Sequence, residues 1–150
     1  MHEDQYPIVC TRRQGFDAQL WRTPPLAVAA QAFLLAAALN SEIHPGLSLV
    51  LHLAAFFVGL AALHLFIKLR HFEVSDAELL ASFERSHEGF AVLHGKRNPS
   101  SEQSYSWALR LSAYNIWFWV LVVLVLLAFG LACLASFEFL TLQIGRICAD

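Results

Sequence analysis

The sequence predicts an all-α membrane protein with three transmembrane helices: an N-terminal hairpin, a long cytoplasmic helical extension of span two, then a third span. Three observations lead there. Of 150 residues, 57% are hydrophobic and only 15% charged, whereas soluble domains carry about 25% charged residues and need them to stay dispersed. The apolar residues are gathered into three blocks, and the lysines and arginines lie before the first block and between the second and third. The net charge of −2, with no basic stripe to replace phosphate counterions, excludes nucleic acid as a partner. The lipid bilayer is the expected partner instead.

Residues 1–20, MHEDQYPIVCTRRQGFDAQL, read as a cytoplasmic N-terminal segment. They have neither an apolar core nor a small-residue cleavage site, so no removable signal peptide is expected. Residues 21–67 read as a transmembrane helical hairpin. Its first span is WRTPPLAVAAQAFLLAAALN, residues 21–40. Thr23 followed by Pro24 and Pro25 resembles a helix start, a cap and then residues that need no backbone donor. SEIHPG, residues 41–46, is a polar turn. LSLVLHLAAFFVGLAALHLFI, residues 47–67, follows without an acid, lysine, arginine or proline. Crossing a hydrocarbon layer of ~30 Å takes ~20 such residues in a helix, because unpaired backbone groups cannot be left in lipid.

Residues 68–112 form the cytoplasmic helical segment and a juxtamembrane elbow. Leu69, Phe72, Leu79, Leu80, Phe83 and Phe90 recur at helical spacings, so span two is expected to continue as one helix to Gly89 or Gly95. Asp76, Glu78, Glu84 and Glu88, interleaved with bases, read as a solvated face. The apolar stripe needs cover. Either this chain provides it, through residues 1–20 or 102–114, or a second protomer does, with Phe72, Leu79 and Phe83 as the candidate assembly seam. Ser100 and Gln103 fit a capping box that restarts a helix. Trp107, Leu111, Tyr114 and Phe118 then share a face suited to the headgroup layer. IWFWVLVVLVLLAFGLACLASF, residues 116–137, marks the third span, assigned to 113–142, and 143–150 is an external tail.

Orientation follows from the bases. Arg12, Arg13, Arg22, Lys68, Arg70, Arg85, Lys96, Arg97 and Arg110 fall on one side, and Arg146 alone on the other. The N-terminus and residues 68–112 are therefore expected in the cytoplasm and the C-terminus outside, across a cell inner (plasma) membrane. Trp21, Trp107, Trp117 and Trp119 all fall near the cytoplasmic interface, where such rings accumulate.

Polar side chains at membrane depth face protein or water rather than lipid. Gln31 and His52 are the candidates, either as inter-helix polar contacts or as pore-side groups in a ring of identical chains. In an antiparallel hairpin Gln31 comes level with Phe57. Glu138 is expected to reach the outer interface. Ala55, Gly59 and Ala62 mark a close-packing side of span two, with Ala32 and Ala36 on span one and Ala128 and Ala132 on span three.

No catalytic constellation, glycine-rich phosphate loop or nucleophile turn occurs, so an enzyme is not expected. No cofactor or metal is expected either. Cys10, Cys133 and Cys148 lack metal-type spacing and read as inert thiols. His52 and His64 are 12 residues apart, ~120° around a helix, and the first and third spans hold no histidine to complete a haem pair.

FDAQLWRTPPLAVAAQAFLLAAAL (16–39) and HLFIKLRHFEVSDAELLASFE (64–84) resemble a group of small uncharacterised bacterial integral membrane proteins. The aromatic–acid pair, the tryptophan, the threonine–proline, the AQAFL run and the basic exit from span two carry the resemblance. More remotely, the arrangement over about residues 16–88 looks like SLATT-type effectors, with an N-terminal two-span hairpin and a helical cytoplasmic extension. A third span departs from that layout. The resemblance implies a membrane-perturbing or pore-forming effector, and the long apolar-striped helix continuous with a small-residue span leads to the expectation that it is homo-oligomeric and gated through its cytoplasmic helices. The alternative is a non-catalytic accessory or scaffold subunit of a larger membrane complex.

Overall fold

The computed structural model describes residues 3–40, 43–87 and 113–147. These form three long helices after a short 3-10 turn at Glu3–Gln5: α1 (Tyr6–Ala38), α2 (Pro45–Ser86) and α3 (Ala113–Ile147). The architecture is all-α.

α1 runs unbroken through Thr23, Pro24 and Pro25, which corrects the reading of these residues as a helix start. The signals of a first turn and of an interrupted helix are alike: proline lacks a backbone donor in both. Here the carbonyls of Leu20 and Trp21 lose their usual intrahelical donors. Packing holds the helix instead, with Leu20 and Pro24 buried. The Thr23 hydroxyl adds a bond to the Gln19 carbonyl at 2.9 Å.

α2 starts at Pro45 with His44 as its cap; the imidazole Nδ1 accepts from the Gly46 amide. It runs for 42 residues to Ser86, where His87 turns to extended backbone. At 1.5 Å per residue that is ~63 Å, about twice the hydrocarbon thickness. Gly89, Gly95, the Ser100–Gln103 box, Trp107 and Leu111 lie outside the described residues.

α1 and α2 are antiparallel: Tyr6 meets Glu84, Arg12 meets Asp76, and Gln31 meets Ala55. α3 lies along the apolar half of α2, also antiparallel to it. Tyr114 stacks on Phe66 at 4.8 Å near its start, and Phe139 reaches Gly46 near its end. Two apolar clusters bind the trio. One joins Leu20, Ala27, Phe66, Leu69 and Leu121. The other joins Leu35, Ala55 and Ala128. Beyond Arg70, α2 is paired with the first turns of α1.

α2 and α3 are long and apolar enough to cross a membrane, with windows of mean hydropathy 2.3 and 2.9. Only 22% of each window is buried inside the protein. A helix from a soluble core would be covered on most sides; these present broad apolar faces outward, including Phe57, Leu126 and Phe137. α1 does not reach the same combination of length and apolarity.

Candidate functional site

The polar chemistry of the described residues gathers at two ends of the trio and one point between them. At the far end of α2, seven side chains of α1 and α2 form a clasp. Arg12 donates from Nε and an Nη nitrogen to the two Asp76 oxygens at 2.8 and 2.6 Å, a bidentate pair. Arg13 bonds Glu73 at 3.0 Å, and Arg70 takes the other Glu73 oxygen from one turn before it on α2. The Tyr6 hydroxyl donates to Glu84 at 2.7 Å.

Glu73, Asp76 and Glu84 are all buried. Asp76 and Glu84 are therefore not part of a solvated face, and that reading is corrected. Glu78 alone of the described acids named for that face is exposed; Glu88 lies outside the described residues. Carboxylates are buried only when paired, and the helix that covers them is α1, from the segment read as an N-terminal extension. The clasp perturbs its own members. The hydrogen bond to Glu84, then burial, then the Glu84 charge hold the Tyr6 phenol well above its ordinary range. The hydrogen bond to Asp76 and its charge raise Arg12 further still.

Beside the clasp runs an open groove of about 650 Å³, lined among others by Arg13, Arg70, Glu73, Glu78 and Arg85. The proposed seam residues lie nearby, and the structure separates them. Phe83 is 3% exposed, with its ring 5.4 Å from Tyr6 and stacked on His87. Phe72 and Leu79 remain 46% and 43% exposed, although Phe16 of α1 stacks on Phe72. α1 thus provides much of the cover for this stripe.

Midway along the trio, Gln31 is fully buried and its amide nitrogen donates to the Ala55 carbonyl at 3.3 Å. Its Oε1 has no partner among the described residues. Ala55 is fully buried and Gly59 buried at the same crossing, while Ala62 packs at the edge of the first cluster. Ala128 and Ala132 of α3 are buried as well. Ala32 and Ala36 are exposed, because Ala27, Gln31, Leu35 and Ala38 occupy the inward face of α1.

At the turn end, His52 is 4% exposed. Its Nδ1 sits 2.9 Å from the Ser48 carbonyl, and the Ser48 hydroxyl donates to the Ala38 carbonyl. His64 is exposed and on another face of α2. Among the described residues no group of three His, Cys, Asp or Glu side chains could hold a metal ion. Cys10 and Cys133 are free thiols.

Sequence reasoning had singled out Gln31, His52, Ala55, Gly59 and Ala62, and missed the clasp. A signal for it existed. The register that sets Gln31 level with Phe57 also sets Arg12 level with Asp76, an opposite-charge pair across the same two helices. No family model, curated protein or solved structure matches the chain.

Proposed function

We propose that the chain is a three-span protein of a bacterial inner membrane that self-associates and perturbs or perforates that membrane, gated through its cytoplasmic helices. In this reading α1 from about Trp21 joins α2 and α3 in the bilayer. The basic residues hold the N-terminus and residues 68–112 inside and the C-terminus outside. One observation carries the gating idea: α2 is a single helix whose apolar half lies among α1 and α3 and whose charged half is clasped to α1. Helices are stiff, so a ligand or partner that alters the Arg12–Asp76 and Tyr6–Glu84 contacts biases the membrane half through the same rod. Gln31 and His52 are then inter-helix contacts whose repacking would accompany opening.

Dye or ion release from liposomes holding the purified chain tests this. The expected result is release that rises when Arg12→Ala loosens the clasp. No flux from either variant, with full tolerance of overexpression in cells, would overturn it.

A scaffold role is the second reading. Its specific support is that Gln31 is consumed by packing within the chain, while the groove beside the clasp offers a partner the exposed Arg85; Arg13 and Arg70 are already paired with Glu73. A different polypeptide co-purifying at fixed stoichiometry, with harmless expression of the chain alone, would favour it.

A further inference from the structure

One face of α2 changes character along its length. Leu53, Phe57 and Leu60 follow one another at helical spacing and are exposed by 40%, 61% and 39%. His64, Lys68 and His71 continue the same spacing and are exposed as well. At 3.6 residues per turn the six lie within a sector of ~80° around the helix. Counted from Leu47, the ~20 residues that cross ~30 Å of hydrocarbon end beside Lys68. The three nitrogen-bearing side chains therefore straddle the cytoplasmic boundary in the bilayer placement proposed above, on which this inference rests. They span ~10 Å along the axis.

None of the three has an ion pair or a side-chain hydrogen bond among the described residues; His71 makes only a ring contact with its neighbour Phe72. The acids of the next turns do not serve this face. Glu73 and Asp76 are buried and paired with Arg13, Arg70 and Arg12. Asp17 of α1, which the helix register sets level with His71, accepts from the Trp21 indole at 3.0 Å. The first acid on the face itself is Glu78, two turns beyond His71.

An exposed apolar stripe thus ends in a cation that lacks a counter-charge, flanked by two imidazoles. A second copy in the same orientation would set Lys68 against Lys68 at equal depth, where like charges repel. A zwitterionic lipid brings an ammonium of its own, which offsets the attraction of its phosphate. An anionic phospholipid matches both halves. Its acyl chain covers the apolar stripe, and its phosphate accepts from the lysine and from the N–H that each neutral imidazole carries in either tautomer. We propose that this face of α2 holds an anionic phospholipid, its phosphate seated on Lys68 between His64 and His71.

The test uses the full chain in nonionic detergent micelles, titrated with phosphatidylglycerol or with phosphatidylcholine of the same acyl chains, and bound lipids are counted by native mass spectrometry. Phosphatidylglycerol is expected to bind saturably and more tightly. Lys68→Gln should weaken it about fivefold, the effect of one cation near an anionic surface, and Lys68→Arg should preserve it. Adding His64→Ala and His71→Ala to Lys68→Gln should bring the two lipids to parity. Arg85→Gln, which removes the same charge from the same helix ~25 Å away, should change nothing. All four positions are exposed, and circular dichroism checks that helix content is kept. A preference that survives the triple change, or an equal loss in Arg85→Gln, would overturn the proposal. So would a second copy or another polypeptide that dissociates when the three side chains are replaced, since it would be the occupant. Equal uptake of both lipids by the parent overturns this proposal alone, whereas uptake of neither would overturn the membrane placement with it.

Discussion

At Gly59 a Cβ would fall 2.2 Å from Gln31 Nε2 and 2.8 Å from Val125 Cγ2. The first neighbour ends a flexible side chain, but Gln31 is fully buried and has little room to withdraw; the second closes the opposite side. Gly59→Ala is therefore expected to destabilise the helix trio by about 1–3 kcal/mol, the range for overpacking, measured by reversible denaturation in mixed micelles. Unchanged stability would show that the crossing is looser than its geometry. Gln31 leads to the opposite expectation. Its one bond is long at 3.3 Å and its Oε1 is unpaired, so removing the whole amide removes an uncompensated polar atom together with a weak contact. Gln31→Met should stay within about 1 kcal/mol of the parent, because replacing a poorly paired polar group by an apolar one of similar shape is nearly neutral. A pore-side role predicts something else for the same variant: unchanged stability with reduced flux. Tyr6 provides a third residue-level check. Its raised phenol means that the protonated form is favoured by folding. The contribution is complete below the ordinary tyrosine value of about 10 and is lost as pH rises through it toward the higher folded value. In the folded protein one of the three tyrosines should ionise late by phenolate absorbance, and Tyr6→Phe should abolish that late phase.

The α1–α2 clasp belongs to the scale of elements, because no one helix contains it. Asp76 has only 8% of its side chain exposed while Arg12 has 53%, and this asymmetry sets an order of effects. Arg12→Ala strands a buried carboxylate, whereas Asp76→Ala releases an arginine that already reaches water. The single change at Arg12 should be more harmful than the change at Asp76, and adding Asp76→Ala to it should restore part of the loss. Unfolding midpoints of the three variants decide it; equal losses at both sites would mean that burial of Asp76 is not what matters. The same elements show why some of the fold was legible and some was not. α2 could be read directly as one long helix, since residues 47–67 carry no charge and helical periodicity continues past Lys68. α1 could not be read as one helix, since Pro24 and Pro25 produce the same local pattern at a start as in an interrupted interior, and only the burial of Leu20 and Pro24 distinguishes them. Asp76 and Glu84 looked solvated because charge interleaving along one helix says nothing of a second helix laid over it. The partner face became visible only with the register, in which Arg12 and Tyr6 come opposite those acids.

For the molecule as a whole, the decisive quantity is how little of the apolar windows of α2 and α3 the protein itself covers. With 22% buried in each, the remaining apolar surface needs cover from lipid, further copies or another polypeptide, because water is a poor solvent for faces of this breadth. These possibilities coexist in a membrane, where helices associate through small residues and shape rather than through escape from water. Much of the small-residue surface is already spent inside the trio: Ala55, Gly59, Ala128 and Ala132 are buried. An assembly of several chains would therefore have to use other faces, of which the one carrying exposed Ala32 and Ala36 is the candidate with the smallest side chains. Replacing Ala36 by Trp should then reduce the mass of the detergent-solubilised particle toward that of one chain, without altering its helix content. A parent that is already monomeric rules out self-association, and an unchanged oligomer transfers the interface elsewhere. Topology is tested with the same preparations. With the native cysteines replaced, Ile43→Cys and Arg97→Cys should react with an impermeant maleimide from opposite sides of intact cells and inverted vesicles. The reason is energetic: the nine bases grouped with the N-terminus and residues 68–112 would otherwise all have to cross the bilayer, against the bias that retains lysine and arginine in the cytoplasm. Labelling of both positions from one side would remove a span and leave the clasped helices to be explained as a peripheral pair.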